Sequence, residues 1–313
     1  MANIIADIIA AIGNFLNDFI GATLGKLIFV PMIKSMLGDG SCDPGFVNSL
    51  YNSMMTKANS LLQVSPDEWA GGLGWQFIQS IQAAFISVGA AFVLVFWLVG
   101  LCTDSLDIRS NIRLEVVLKQ LAKLVVAEFF VVNSVELISA FFKLPQALCN
   151  VMVGNSQFEI NTSEAVYRCL ENPSFSDATI LWFFSLVLMV LTAISGGSII
   201  YLAIIRIFKV LMIIPYAAIA TSTVASSHGI ASTTVSYYKH AFATILESAT
   251  MLIAVNLSGY LISNNSDLLT SLISGSDFNE ALSWMIGTMM LLACTMGAVK
   301  EAGQVTHRAL GGA

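Results

Sequence analysis

The stretch "ATILWFFSLVLMVLTAISGGSIIYLAII", residues 178–205, decides the fold class. It contains no Asp, Glu, Lys or Arg, and it is longer than the roughly 20 apolar residues that cross a bilayer as a helix. A run of this length is typical of a membrane span rather than of a buried helix in a water-soluble protein. The adjacent pair Gly196 and Gly197 predicts either a kink or a point of close helix packing.

The whole chain has the composition of an integral membrane protein. Of its 313 residues, 56% are hydrophobic and only 11% are charged, and the mean hydropathy is +0.79. Water-soluble domains usually carry about a quarter charged residues. The net charge of −6 says little about partners, because the positions of Lys and Arg relative to the spans matter more in a membrane protein. We therefore expect an all-α membrane protein.

Five apolar segments predict five transmembrane helices, separated by segments rich in turn-forming residues. The expected spans are residues 77–101, 118–142, 178–205, 238–262 and 281–299. The other segments are an N-terminal amphipathic and extracytoplasmic region at 1–76, an outer loop at 143–177, a hairpin at 206–237 and a cytoplasmic tail at 301–313.

Two of these segments have an expected structure of their own. Residues 1–30 repeat Ile and Phe at helical spacing, with Asp and Asn mostly on the other side, which predicts an amphipathic helix. That helix packs on a partner subunit, lies at the membrane interface or makes a short crossing. In residues 206–237, Pro215 and a run of Ser, Thr and Ala argue against one smooth helix. We expect a re-entrant or hairpin segment there, with a hinge at Pro215.

The positions of Lys and Arg predict the orientation of the chain. Cytoplasmic loops carry an excess of these residues. They cluster after the first span, around the hairpin and after the fifth span, at Arg109, Arg113, Lys119, Lys123, Arg206, Lys209, Lys239, Lys300 and Arg308. This pattern predicts a multi-pass protein of the inner or cytoplasmic cell membrane with its N-terminus outside and its C-terminus in the cytoplasm.

The second span contains three polar side chains, Glu128, Asn133 and Glu136. A carboxylate that faces lipid costs about 2.5 to 3.5 kcal/mol on insertion scales, so both carboxylates should face protein or water. Helical spacing allows one broad polar stripe to contain all three side chains. The stripe predicts an interior face of the membrane domain.

The fourth span repeats this pattern with His240, Thr244 and Glu247 at helical spacing, and Lys239 lies next to them. Arg206 and Lys209 also share one helix face. Two interpretations of these charged residues remain open. Either the carboxylates pair with the cations and lock a helix bundle, or some of these side chains line a hydrated path.

The sequence predicts no catalytic site, no cofactor and no metal site. The three His residues are scattered, and neither an HExxH motif nor a CxxC pair occurs. Cys149 and Cys169 fall in the same expected outer loop, where an oxidising environment would allow a disulfide between them. The protein is therefore not expected to be an enzyme, although an integral-membrane enzyme remains a minor alternative.

The arrangement resembles the TrbL-like polytopic subunit of conjugative type IV secretion systems, especially the versions on mobile elements of Gram-positive bacteria. The resemblance is architectural and covers most of the chain. It rests on the five spans, the long outer loop, and the stretches "GGSIIYLAIIRIFKVLMIIPYAAIA" (196–220), "YYKHAFATILESATMLIAVNLSGYLI" (237–262) and "KEAGQVTHRALGGA" (300–313).

This resemblance implies a ring-forming inner-membrane subunit that helps translocate single-stranded DNA with its attached relaxase protein. Its expected partners are other copies of itself, further type IV secretion subunits and the ATPases that supply the energy. The DNA would pass without sequence-specific recognition. The main alternative is a small-solute secondary transporter or channel, for which Gly196, Gly197 and Pro215 would mark broken helices.

Overall fold

The computed structural model describes residues 27–39, 44–107, 114–153, 158–171, 174–226, 231–264 and 276–310. Every regular element in these ranges is a helix, which confirms the all-α prediction. Most of the expected N-terminal amphipathic helix lies outside the described residues. Arg109 and Arg113 lie outside them as well.

Ten α-helices occur within the described part of the chain. They are α1 (Val30–Leu37), α2 (Gly45–Gln63), α3 (Leu73–Asp107), α4 (Leu114–Val132), α5 (Ser134–Val153), α6 (Glu164–Glu171), α7 (Phe175–Ile213), α8 (Ala217–Ser222), α9 (Ala231–Ser263) and α10 (Asp277–Ala309). Short 3-10 turns precede α3 at Trp69–Gly72 and flank α8 at Ile214–Tyr216 and Thr223–Ala225.

Four of the described helical stretches are long and apolar enough to cross a membrane. They contain α3, α7, α9 and α10. The pair α4 and α5 makes a fifth span if the two bent helices are counted together. The prediction of about five membrane helices is thus confirmed at the level of length and composition.

The second expected span, 118–142, is not one straight helix. It is broken at Asn133, where α4 and α5 meet at an angle of 60°. The Asn133 side chain donates from Nδ2 to the Phe129 carbonyl at 2.8 Å, and Ser134 Oγ donates to the Val131 carbonyl at 2.8 Å. Both side chains bond carbonyls of the preceding turn, a pattern that often bends helices, while the amides of Asn133 and Leu137 keep their backbone bonds to Phe129 and Asn133.

The expected outer loop at 143–177 is largely helical. Helix α5 continues through Pro145 to Val153, and α6 covers Glu164–Glu171. Residues 158–163, which precede α6, form no helix or strand. They are anchored by the Ile160 amide, which donates to Asn48 Oδ1 at 2.9 Å. Most of the described residues of this region are therefore helical.

Within the expected hairpin at 206–237, helix α7 runs to Ile213, and the chain stays helical through α8 to Ala225. The returning helix α9 packs on α8, where Thr234 Oγ1 donates to the Ala220 carbonyl at 2.8 Å. Pro215 lies in the first turn of the 3-10 segment, where its missing N–H is tolerated, so the helix changes type instead of reversing. Ser226 is extended, and α9 begins at Ala231.

Helix α8 packs at the middle of α3. A Cβ on Gly89 would lie 2.9 Å from the Ala218 carbonyl oxygen, so only glycine permits this approach. Val93, Ala127 and Val131 of α3 and α4 form one buried cluster with Ala218 and Ala225. The small residues of this segment therefore allow close packing, as the sequence suggested for a partly buried segment.

The described residues form two compact units. Unit 1 lies within residues 1–59, 155–200 and 254–298, and unit 2 lies within residues 60–154, 201–253 and 299–313. The core of unit 2 contains Ile138 and Phe142 of α5 together with Ile207 and Ile214 of α7 and its following turn. In unit 1, an ion pair joins Arg168 to Asp277 at 3.1 Å and ties α6 to the start of α10.

Gly196 in α7 is a packing point, and α7 is continuous through Gly196 and Gly197. Gly196 lies directly beneath Met54 of α2, and a Cβ there would be 2.5 Å from Met54 Sδ. Beside it, Ser195 Oγ donates to the Leu292 carbonyl of α10 at 3.1 Å. Gly197 is open, with no atom within 4 Å of an added Cβ.

Replacing Gly196 with Ala is expected to destabilise the protein, whereas Gly197→Ala should be neutral or slightly stabilising. The added Cβ at position 196 would also lie 2.8 Å from Met54 Cβ, and overpacking typically costs about 1–3 kcal/mol. At position 197 only the helix-propensity gain of roughly 0.5–1 kcal/mol remains. Thermal unfolding in detergent compares the two variants. Met54→Ala, which removes Sδ and Cγ but keeps Cβ, should rescue Gly196→Ala in part. Equal stability of the two glycine variants would contradict this packing.

Candidate functional site

A buried guanidinium lies at the centre of unit 2. Arg206 of α7 is 2% exposed, and its Nη2 donates to the Ile245 carbonyl of α9 at 3.2 Å. Its Nε and Nη1 have no hydrogen-bond partner among the described residues. A buried charge of this kind needs a counter-charge nearby. Glu247, which is 4% exposed, acts on Arg206 electrostatically as that counter-charge.

The second cation of α7 also faces Glu247. Lys209 Nζ lies 3.9 Å from Glu247 Oε1, with the lysine side chain 52% exposed and the glutamate side chain only 5% exposed. Arg206 and Lys209 are three residues apart and therefore share one helix face. The sequence left open whether the carboxylates pair with cations or line a hydrated path. Glu247 does form such an ion pair, with Lys209.

Helix α10 approaches this cluster through a glycine. A Cβ on Gly303 would lie 2.5 Å from Glu247 Oε1 and 3.0 Å from its Cδ. Gly303 comes four residues after Val299, the last residue of the uncharged run of α10, which is about 6 Å along the axis. Glu247 thus lies beside the part of α10 that follows its uncharged run. This position near the end of the span explains how a predicted membrane helix tolerates a carboxylate.

A cavity of about 560 Å³ opens beside the cluster. His240 of α9 and His307 of α10 stack on one another at its wall, with ring centroids 4.9 Å apart and an interplanar angle of 29°. The lining consists of Lys209, Met212, Ile213, Tyr216, Tyr237, His240, Thr244, Glu247 and His307. Three helices of unit 2 therefore bring an ammonium, a carboxylate and two imidazoles to one concave surface.

Hydroxyl groups fix the wall of this cavity. Tyr237 donates to the carbonyl of Ile213 at 2.7 Å and so satisfies an oxygen at the end of α7. Further along, the Thr221 and Tyr238 hydroxyls are 2.9 Å apart, and Thr234 donates to the Ala220 carbonyl at 2.8 Å. These bonds attach α8 to α9 and keep the break at Pro215 in one position.

The cavity has the chemistry to hold water or a polar solute. It presents donors and acceptors around an apolar floor, as ligand pockets commonly do. Within the described ranges, no group of three or more His, Cys, Asp or Glu side chains is arranged to hold a metal ion.

The polar residues predicted in the second span are only partly brought together. Glu128 and Asn133 line a separate groove of about 740 Å³ beside Ala90 and Ala91 of α3. Glu128 is half-buried, whereas Glu136 is exposed on α5 beyond the 60° bend. The bend therefore divides the single stripe that an unbroken helix would have carried. Neither carboxylate forms an ion pair with another described residue.

Lys239 forms no ion pair within the described residues, and the two cysteines form no disulfide. The Lys239 side chain is exposed. Cys149 and Cys169 are free thiols, because Cys149 is not in an outer loop but 1% exposed within α5. The pKa of the Cys169 thiol is raised to about 11 by burial and, less strongly, by the nearby carboxylates of Asp177 and Asp277.

Three residues of the site escaped the sequence analysis. His307 had been assigned to the cytoplasmic tail, Gly303 to no role and Tyr237 only to the edge of the hairpin. One feature of the sequence could have indicated Gly303 and His307. They are four residues apart, so they share one helix face if α10 continues to Ala309, as it does in the structure. Their partners on α9 depend on tertiary packing, which the spacing alone does not contain.

Comparison with protein-family models, curated proteins and solved structures yields no match to this chain. The family resemblance stated from the sequence accordingly stays a prediction.

Replacing Gly303 with Ala is expected to displace the Glu247 carboxylate and lower stability. Gly297→Ala is the matched control, because no atom lies within 4 Å of a Cβ at that position of the same helix. Thermal unfolding in detergent measures the difference. Adding Glu247→Asp, which shortens the side chain, should restore part of the loss. Identical unfolding of the two alanine variants would contradict the close contact between α10 and Glu247.

Proposed function

We propose that the chain is a channel-forming inner-membrane subunit of a type IV secretion or conjugation machine, which helps translocate single-stranded DNA with its attached relaxase. One observation carries this proposal. Three membrane helices bring Lys209, Glu247, His240 and His307 to one cavity beside the buried Arg206. Charged side chains in membrane segments face a bundle interior or a water-filled cavity, and they commonly mark transport paths.

The distribution of cations supports a cytoplasmic position for this cavity. Lys209, Lys239 and Lys300 all lie near its level on their helices, and positive residues favour the cytoplasmic side. A cationic mouth there attracts a polyanion without reading its sequence. The chain provides a wall for the path, and partner ATPases provide the energy.

The groove at Glu128 supports assembly from several copies. Glu128 and Asn133 border an open apolar groove with Ala90 and Ala91, whose small side chains permit close helix approach. Covering this groove with another copy would remove the carboxylate from lipid. The proposed ring turns α4, α5 and α9 towards a shared interior.

A small-solute transporter is the second candidate function, and the break in the third span favours it. Ile213 and Tyr216, on either side of the turn at Pro215, both line the cavity. Transporters place substrate sites at such interrupted membrane helices. In that case the cavity itself would bind the solute, and no DNA would contact the chain.

Deleting the gene from a donor cell should abolish transfer of the mobile DNA, because the path would lack its wall. Formaldehyde crosslinking followed by precipitation of the tagged subunit should recover the transferred strand. The deletion strain is also complemented with a Glu128→Gln, Glu136→Gln double variant, which should lower transfer. Native gels follow the assembly of this variant: intact assembly indicates that the carboxylates line the path, and lost assembly indicates that they hold the subunits or helices together. Glu159→Gln, an exposed carboxylate on the segment 158–163, is the matched control.

Three outcomes would reject the proposal in different ways. Unchanged transfer in the deletion strain excludes a conjugation subunit. Loss of uptake of a small solute, without loss of DNA transfer, favours the transporter. Unchanged transfer and assembly in the double carboxylate variant removes Glu128 and Glu136 from the path.

A further inference from the structure

Helix α2 of unit 1 has one apolar face and one polar face. Its buried side chains within unit 1 are Val47, Tyr51, Met55 and Ala58, with one buried polar side chain, Asn59. From position 49 to position 59, its exposed side chains are all polar: Ser49, Asn52, Ser53, Thr56 and Lys57. The depth of this helix in the bilayer therefore determines whether its polar face contacts water, lipid or protein.

Helix α10 fixes the level of the bilayer centre in unit 1. Its uncharged run is 281–299, bounded by Glu280 and Lys300, and a span needs about 20 residues, so nearly the whole run is required. The middle of this run is residue 290. Leu292 lies two residues from it, about 3 Å along the axis, and its carbonyl accepts the hydrogen bond from Ser195 of α7.

Helix α2 meets α7 at that same level. Met54 packs on Gly196, the residue that follows Ser195. In α7 itself, every 20-residue window within the uncharged run 178–205 contains Gly196. Asn52 and Thr56 are two residues from Met54, about 3 Å along α2. The polar face of α2 is thus at the depth of the hydrocarbon.

The neighbouring membrane helices expose apolar side chains at this depth. Ile194 of α7 is 53% exposed and Met290 of α10 is 58% exposed, as expected for surfaces that contact lipid. An amide or hydroxyl without a partner in hydrocarbon costs several kcal/mol. Asn52, Ser53 and Thr56 therefore require a different environment from their neighbours. The only internal bond between them is from Thr56 Oγ1 to Asn52 Oδ1 at 3.1 Å.

We propose that the polar face of α2 lines a water-filled path through the membrane domain. This inference rests on the proposed function and deepens it, because it assigns a wall of the path to a segment that the sequence suggested was an outer region. Apart from the cation Lys57, this face carries neutral hydroxyl and amide groups, which hydrate a passing polar chain without binding it tightly, as conduction requires.

Cysteine accessibility tests the proposal directly. In a protein whose five native cysteines are replaced by Ser, single variants Ser53→Cys and Thr56→Cys are compared with Ile194→Cys at the same depth. A membrane-impermeant charged methanethiosulfonate reagent is applied to membrane vesicles. Since the thiolate is the reacting form and needs water, the α2 thiols should react at least about tenfold faster than the lipid-facing control. Rates equal to that of Ile194→Cys would overturn the proposal.

A second variant tests the depth of α2 independently. The Cβ atoms of positions 54 and 196 would lie 2.8 Å apart, so α2 and α7 must separate by roughly 1 Å to reach the Cβ spacing of a disulfide. Met54→Cys removes the rest of the methionine side chain and makes room for this shift, so Met54→Cys with Gly196→Cys should crosslink on oxidation. Failure to crosslink in a double variant that is folded by thermal unfolding would overturn the register. Crosslinking of Ser53→Cys between two copies, without reagent labelling, would assign the polar face to subunit packing and overturn the water path.

The same variants separate this inference from the proposed function. Fast labelling at positions 53 and 56 combined with unchanged DNA transfer in the deletion strain keeps the water path but rejects the conjugation role. Loss of transfer on deletion combined with slow labelling keeps the conjugation role and rejects α2 as the wall.

Discussion

The structure depends on one constraint, which is that a positive charge buried among membrane helices needs a nearby negative charge. Arg206 is buried with a single hydrogen bond, from Nη2 to the Ile245 carbonyl. Glu247 acts on Arg206 electrostatically from beyond ion-pair distance, and it faces Lys209 at 3.9 Å. Removing one member of such a buried set is costly, because the remaining charge keeps its desolvation penalty without its partner.

This constraint organises the surrounding helices of unit 2. Glu247 must remain beside α7, and the lack of a side chain at Gly303 lets α10 pack directly on the carboxylate. The stacked rings of His240 and His307 then close the wall, while Tyr237 bonds the end of α7 at Ile213. The cavity lies where α7, α9 and α10 pack around these side chains.

The fold class could be predicted from apolar run length, because a bilayer imposes a minimum length on any spanning helix. The break at Asn133 could not, since the same Asn is tolerated in a straight helix when its amide bonds elsewhere. Pro215 was predicted as a hinge, and it marks the change from α-helix to a 3-10 turn, where its missing N–H is tolerated. The charged residues of the site were identifiable, whereas the Gly303 and His307 contacts depend on the packing of α10, which local spacing does not determine.

A double-mutant cycle between Arg206 and Glu247 tests the central claim most directly. Unfolding free energies are measured in detergent for Arg206→Met, Glu247→Met and the double variant. If the two charges compensate one another, each single variant is strongly destabilised, and the double variant loses less than the sum by at least about 1 kcal/mol. Additivity of the two losses within about 0.5 kcal/mol would contradict the account.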